Sequence, residues 1–598
     1  MKPDTPMLEL VKRLRLPDQN QPILSFCQSN RAGKVADWAS HLPATRINHT
    51  SVVLYQALPE VCRLDTSPAN RLEILEHLRP YVQQCILGLT KSFLDQPLIM
   101  PDSAMKTAII AQALQKHMSN GYSLVVRAMV QKQPDGKFKD DERKRLVLAI
   151  HRAISGMGLQ LLRNSQIYTP VSSQYWLELY SLYRLAESLN LLNRGCRDPQ
   201  LKQLQKTTID QAFQRVLLLA CCHHSQLRQQ EVEIVFDALE SWSALAHLAP
   251  FQENSENHYA TDLNDNLSPR YKSQLCHGET SATRVLRELN LQPLLSALKR
   301  IEEQGPSEHS PITVPGNMNP RLLAHVLGAW GEEFRRYQPR KASKNLLEIA
   351  VGLTSVHYHL CGQESFEHFL RYRCNARNPM SRQFRVQGLT ADYDPWDEAF
   401  DADPEARTHT GKSLNLTSEP ATSSRSTKYP LYQIQISDIS TGGVGLNWHQ
   451  EIPAQVKTGE LVAVRDPEAA HWNLGVIRWV KQHKGMSQLG IQLIAQQARA
   501  IAVQQLQKSG RDNVYMRGLS SEKAGTHFNE KALITASYPF RAGNKARINY
   551  RGDTSTVQLS HLLYSSSSIN LFRYRPVEAA HRDNHEAPPA ADDFPESW

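Results

Sequence analysis

The hydrophobic period of this chain changes once, and that change limits what each part can become. Between residues 67 and 249 apolar side chains recur every three or four positions. In "SPANRLEILEHLRPYVQQCILGL", Leu75, Leu78, Val82, Cys85 and Leu89 fall on one helical face, with Ser67 placed to cap and Pro68 at the first helical position. "ERKRLVLAIHRAISGMGLQLLR", "SSQYWLELYSLYRLAESLNLL", "IDQAFQRVLLLACC" and "EVEIVFDALESWSALAHL" repeat the pattern without a fixed repeat length. This predicts an all-α bundle or short irregular solenoid whose outer surface is open to partners. Residues 250–285 are less regular, and "ATRVLRELNLQPLLSALKRIEE" and "RLLAHVLGAWGEEFRRY" read as two further helices.

Beyond about residue 345 a period of two takes over. "KNLLEIAVGLTSVHYHL" reads as a strand, which would put His357 and His359 on one face. After a polar insertion over residues 361–429, "LYQIQIS", "GVGLNW", "ELVAVR", "WNLGVIRWV" and "SQLGIQLI" follow at the spacing of a small antiparallel β-barrel. "AQQARAIAVQQLQK" reads as a closing helix, and a second small β unit follows. The expected organisation is therefore multidomain: an N-terminal segment over 1–60, a helical domain over 61–315, a barrel over 316–510, a small β domain over 511–576 and a disordered acidic, Pro/Ala-rich tail over 577–598.

Composition removes several function classes. The 598 residues are 41% hydrophobic and 21% charged, with no apolar run of spanning length and no signal-like N-terminus, so a cytoplasmic location is expected. Nine scattered cysteines argue against a disulfide framework. In "ACCHHS", Cys221, Cys222, His223 and His224 point about 100° apart in succession on a helix, so the cysteines are expected in a core and the histidines near its edge. A net charge of +9 over this length permits an anionic partner without demanding one. P-loop and G-x-S-x-G motifs are absent, so no enzyme, cofactor or metal is expected.

The stretch "QIQISDISTGGVGLNW" carries more chemistry than a hairpin turn requires. Asp438 and Ser440 fall on a common side at the end of a strand, and Gly442 and Gly443 allow positive φ and close backbone approach. Such a turn presents a carboxylate, a hydroxyl and bare N–H groups to a purine edge or a phosphate. Upstream, "FRRYQPRK" places Arg336 and Arg340 in an R-x-x-x-R pair with Arg335 adjacent, and guanidinium forks match phosphate oxygens or the guanine O6/N7 edge.

Together R-x-x-x-R, D-x-S-x-x-G and the strands "GELVAVR" and "NLGVIRWVKQHKGMSQLGIQL" resemble the PilZ domain, over roughly residues 321–500. The resemblance implies a six-stranded barrel that binds cyclic di-GMP. By it, Arg336 and Arg340 would grip phosphates and guanine edges, Asp438 and Ser440 would contact a guanine, and Gly443 would shape the turn. The long gap between Arg340 and Asp438 requires an insertion. A second pair, Arg373 and Arg377, lies nearer the turn in sequence, with Arg382 and Arg385 beyond it. Arg336 and Arg340 are preferred because a helix precedes them and a strand follows. The signatures of enzymes that make or degrade cyclic di-GMP are absent.

The expected function is a non-catalytic receptor that passes cyclic di-GMP binding to a protein partner through the helical region, in motility, pilus or biofilm control. The alternative is a PilZ-like scaffold with no ligand. An RNA-binding role would need an interleaved basic and aromatic surface that the sequence lacks, so nucleic acid is not an expected partner.

Overall fold

Three helices, α1 (Pro6–Lys12), α2 (Ala32–Ser40) and α3 (Ile47–Arg63), precede the long helix α4 (Pro68–Phe93). The Ser67 hydroxyl caps α4 by accepting a hydrogen bond from Asn70 N at 3.3 Å, and Leu75, Leu78, Val82, Cys85 and Leu89 are all buried beneath it. The computed structural model describes residues 6–43, 45–94, 96, 98, 100–276, 284–305, 310–333, 340–371, 429–449, 452–469, 471–483, 486–506, 514–522 and 531–577. Helices α5 (Asp102–Lys132), α6 (Asp140–Gln166) and α7 (Tyr175–Ser188) follow, then a hairpin of β1 (Gly195–Arg197) and β2 (Lys206–Thr208). A reciprocal Thr208–Gln211 cap opens α8 (Ile209–Cys221), and α9 (Gln229–Trp242) packs beside it. Cys221 and Cys222 are buried in the helical core, and His223 leaves the helix in the left-handed region at φ 53°, as an edge position requires.

The region after α9 is not helical throughout. Strands β3 (His247–Pro250), β4 (Tyr259–Asp262), β5 (Arg270–Tyr271) and β6 (Leu286–Asn290) form a sheet in the order β3-β6-β4-β5, with α10 (Lys272–Cys276) following β5. The helix expected across "ATRVLRELNLQPLLSALKRIEE" is therefore two elements. Residues 286–290 pair with β3 and β4, and α11 (Gln292–Gln304) starts only beyond them. Helix α12 (Pro320–Gly331), capped by Asn319, completes one continuous core shared from α1 onward.

Strands β7 (Lys341–Ala342), β8 (Leu346–Val351), β9 (Tyr432–Ser440), β10 (Gly443–Trp448), β11 (Leu461–Arg465), β12 (Asn473–His483) and β13 (Met486–Gln496) make the first barrel. Six of them close in the order β10-β13-β12-β11-β8-β9, and β7 adds to the end of β9. The strand expected to run through "VHYHL" stops at Val351. Gly352, at φ +85°, turns the chain into α13 (Leu353–Leu360), followed by α14 (Phe366–Arg371). His357 and His359 therefore lie on a helix, where their Nε2–H groups donate to the Ile501 and Tyr429 backbone oxygens.

The expected closing helix is strand β14 (Arg499–Leu506), and it belongs to the second barrel. That barrel adds β15 (Met516–Ser521), β16 (Ala532–Ala536), β17 (Lys545–Tyr550), β18 (Asp553–Ser565) and β19 (Ile569–Pro576), closed as β14-β15-β16-β19-β18-β17. It therefore begins at Arg499 rather than near residue 511. Ala500 through Val503 are buried whichever way they point: Ile501 and Val503 fill the barrel, while Ala500 and Ala502 join a core shared with the first barrel and α13. Burial on both faces removes the alternation by which a strand is recognised.

The helical region is tied to both barrels. Tyr168 O accepts a 2.8 Å bond from Gln482 N on β12, and the His224–Gln226 turn packs against the same strand. Arg228 donates to Thr458 O in the first barrel and to Ser568 Oγ in the second, each at 3.3 Å.

Candidate functional site

The site is made by a β-bulge. Along β9, Ile434 and Ile436 point into the first barrel, and strict alternation would turn Asp438 inward behind them. Ile436 pairs with Leu446 and Asp438 pairs with Gly445, which leaves Ser437 as an extra residue. Cross-strand partners share a face, so the bulge carries Asp438 to the outer face with Gly445. Ser440, two residues on, pairs with Gly443 on that same face.

Both glycines on β10 are required by space. A Cβ on Gly445 would come within 2.6 Å of Asp438 Oδ2 and of Ser437 Oγ, so its absence makes room for the carboxylate. A Cβ on Gly443 would lie 2.5 Å from the Ile491 backbone oxygen on β13. Positive φ is not their function, contrary to the sequence reading: neither Gly442 nor Gly443 adopts it, and Gly442 has open space around its Cα. The turn is instead closed by a 3.2 Å hydrogen bond from Ser440 Oγ to Gly443 O.

Strand β7 brings the arginine segment to this face. Ala342 pairs with Asp438 and Lys341 with Ile439, so Arg340 arrives beside the carboxylate from 98 positions away in the chain. Its Nη1 donates to Asp438 Oδ1 at 2.5 Å, and Ser437 Oγ donates to Oδ2 at 3.0 Å. Both partners of the ion pair are about 30% exposed. The pair is open to water, so a competing anion can reach the guanidinium. Arg335, Arg336, Arg373, Arg377, Arg382 and Arg385 lie outside the described residues.

Trp479 is a neighbour that the two motifs do not single out. Gly445 pairs with Gly490 on β13, and Gly490 pairs with Trp479 on β12, so Asp438 and Trp479 lie in a single cross-strand row. The Trp479 indole covers Gly490, with Lys481 Nζ 5.5 Å from a ring centroid. A tryptophan in "VIRWV" beside an isolated "LGI" glycine is the signal that could have found it.

Three family models match the chain in succession. They are described as the cyclic-di-GMP receptor FimW N-terminal domain over residues 33–253, its middle PilZ domain over 259–500, and the FimW C-terminal beta-barrel domain over 501–577. A curated relative, the cyclic-di-GMP receptor FimW of Pseudomonas aeruginosa, is 30% identical over 98% of both chains. The chain belongs to the FimW family. The succession of a helical region and two barrels follows the family's layout, and the middle barrel is its PilZ domain. No solved structure matches the chain significantly. Among the described residues, no helix is long and apolar enough to cross a membrane.

Proposed function

We propose that this FimW-family chain is a non-catalytic cytoplasmic receptor for cyclic di-GMP, bound on the outer face of the PilZ barrel around Arg340, Asp438, Ser440 and Gly443. The observation that carries the reading is the meeting of Arg340 and Asp438 beside Gly445, whose missing Cβ makes room for the carboxylate. The ligand is a doubly anionic cyclic dinucleotide. Its phosphate would draw the Arg340 guanidinium away from Asp438 through a charge-assisted pair, and the released carboxylate would accept from the N–H groups of a guanine. Trp479, in the same row, offers an aromatic face for a second purine. Arg335 and Arg336 complete the cationic side of the site in this reading.

The signal passes to a protein partner through the helical region, because that region is bonded to β12 at Gln482 and to the loop carrying Thr458. Isothermal titration with cyclic di-GMP tests the binding step. Saturable heat that Arg340→Ala removes supports it, and no heat from the unaltered chain overturns it. The second reading, a scaffold without ligand, draws on the ion pair itself, since Arg340 and Asp438 already satisfy each other. It takes over when no heat is seen.

A further inference from the structure

The net charge of +9 is concentrated in one barrel. Residues 499–577 hold twelve Lys and Arg against four Asp and Glu, so one small β unit accounts for a net +8. Residues 578–598 hold six Asp and Glu against Arg582 alone, a net −5 in 21 residues.

The barrel also sorts its charge by face. On β17, Ala546 and Ile548 point inward while Lys545 and Arg547 point outward, and on β19 Phe572 and Tyr574 point inward while Arg573 and Arg575 point outward. Register aligns two of these cations across the strand between them: Lys545 pairs with Gln558, which pairs with Arg575, while Arg547 pairs with Thr556 and Arg573 with His561. The outward residues of β18 in these rows, Thr556 and Gln558, are neutral. The described acidic residues of the barrel, Glu522 and Asp553, lie at strand ends rather than in these rows. Four cations thus stand on β17 and β19, the two strands that flank β18. Arg547 donates to Gln504 Oε1 at 3.1 Å and Arg575 to Gln558 Oε1 at 2.9 Å, neutral acceptors that leave both guanidinium charges in place on the face.

We propose that this β17–β18–β19 face is a docking surface for a polyanionic chain segment, and that residues 578–598 of the same chain occupy it. Continuity and charge both point to that occupant. Strand β19 ends at Pro576, and Val577 N donates to Thr556 O at 2.9 Å, so the acidic segment departs from the row that holds Arg547. An extended chain of this length reaches roughly 70 Å, several times the length of the strands it must cover. Tethering holds its carboxylates at an effective concentration on the order of millimolar, so even weak intrinsic affinity fills the face. While it is filled, other polyanions are excluded from the barrel.

The test compares the full chain with one ending at Val577, using fluorescein-labelled heparin as the polyanion at about 50 mM salt. The shortened chain binds heparin at least ~10-fold more tightly, and the difference closes at about 0.5 M salt. Lys545→Glu with Arg575→Glu in the shortened chain cancels the gain, and a synthetic peptide of residues 578–598 displaces heparin from it. Equal binding by both chains overturns the tail as occupant and leaves the face to an external polyanion. Absence of binding by either chain overturns the docking surface. A gain that survives the double charge reversal overturns the face assigned to it.

Discussion

Ser568 of the second barrel donates a 2.6 Å hydrogen bond to the Glu460 carboxylate of the first, while its oxygen accepts from Arg228 of the helical region. One hydroxyl therefore joins three structural units. Burial raises the Glu460 pKa, and the bond from Ser568 followed by the nearby Arg228 charge opposes that rise. A change in the first barrel thus has a polar route into both of its neighbours.

Removing that junction should uncouple the units before it unfolds any of them. Arg228→Ala deletes two inter-unit hydrogen bonds, and Ser568→Ala leaves Glu460 without its closest donor. Each is expected to lower stability by about 1–3 kcal/mol. Scanning calorimetry should show the melting envelope broaden or split. An unchanged envelope in both variants would mean the junction is not a coupling element.

The two glycines of β10 should fail in different ways. Gly445→Ala presses on side-chain oxygens of Asp438 and Ser437, which can swing away, so the barrel stays folded while cyclic di-GMP affinity falls about 10-fold or more. Gly443→Ala presses on the Ile491 backbone oxygen, which cannot yield without shifting β13. It should lower stability by about 1–3 kcal/mol, as overpacking does. Melting curves and titrations on the same two variants separate these outcomes.

Arg340→Ala and Asp438→Ala should both weaken cyclic di-GMP binding, by about 10- to 100-fold for the loss of charge-assisted hydrogen bonds. The arginine variant should also flatten the dependence of affinity on salt, because it removes a phosphate contact. The aspartate variant should keep that dependence, because it removes a contact to a base. Titrations at two salt concentrations check both statements.

Two buried histidines and two half-buried ones set an acid limit on stability. Burial, then the neighbouring Arg152 charge, pushes His151 down to about 3; burial and then Arg517 do the same for His357. His223 and His224 are pushed down to about 4, by burial first, then by His325 and Arg478 for His223 and by Lys481 and His223 for His224. Each is depressed in the folded chain, so below about pH 6.5 the unfolded chain binds protons that the folded one does not. Stability therefore falls as pH drops from about 6.5 toward 4, and melting temperatures across that range should show it. His357→Gln should flatten the slope by up to about 1.4 kcal/mol per pH unit. His223 and His224 adjoin the turn that packs on β12, so acid should also loosen the helical region from the first barrel.

Local chemistry alone fixed some features of this protein. The Ser67 cap and the apolar stripe of α4 were legible because capping and 3.6-residue periodicity act within a few residues of chain. The strands of the PilZ barrel were legible where one face meets water, as in "QIQI". Three features were decided only by tertiary structure. Strand β14 read as a helix because the second barrel and the inter-barrel core bury both of its faces. "VHYHL" read as a strand because its apolar spacing suits either period, and the turn at Gly352 settled the matter. Asp438 reached the outer face because a bulge at Ser437 shifted the phase of β9, and it met Arg340 because β7 pairs beside it. Register and bulges depend on which strands become neighbours, so a pattern read along one strand does not contain them.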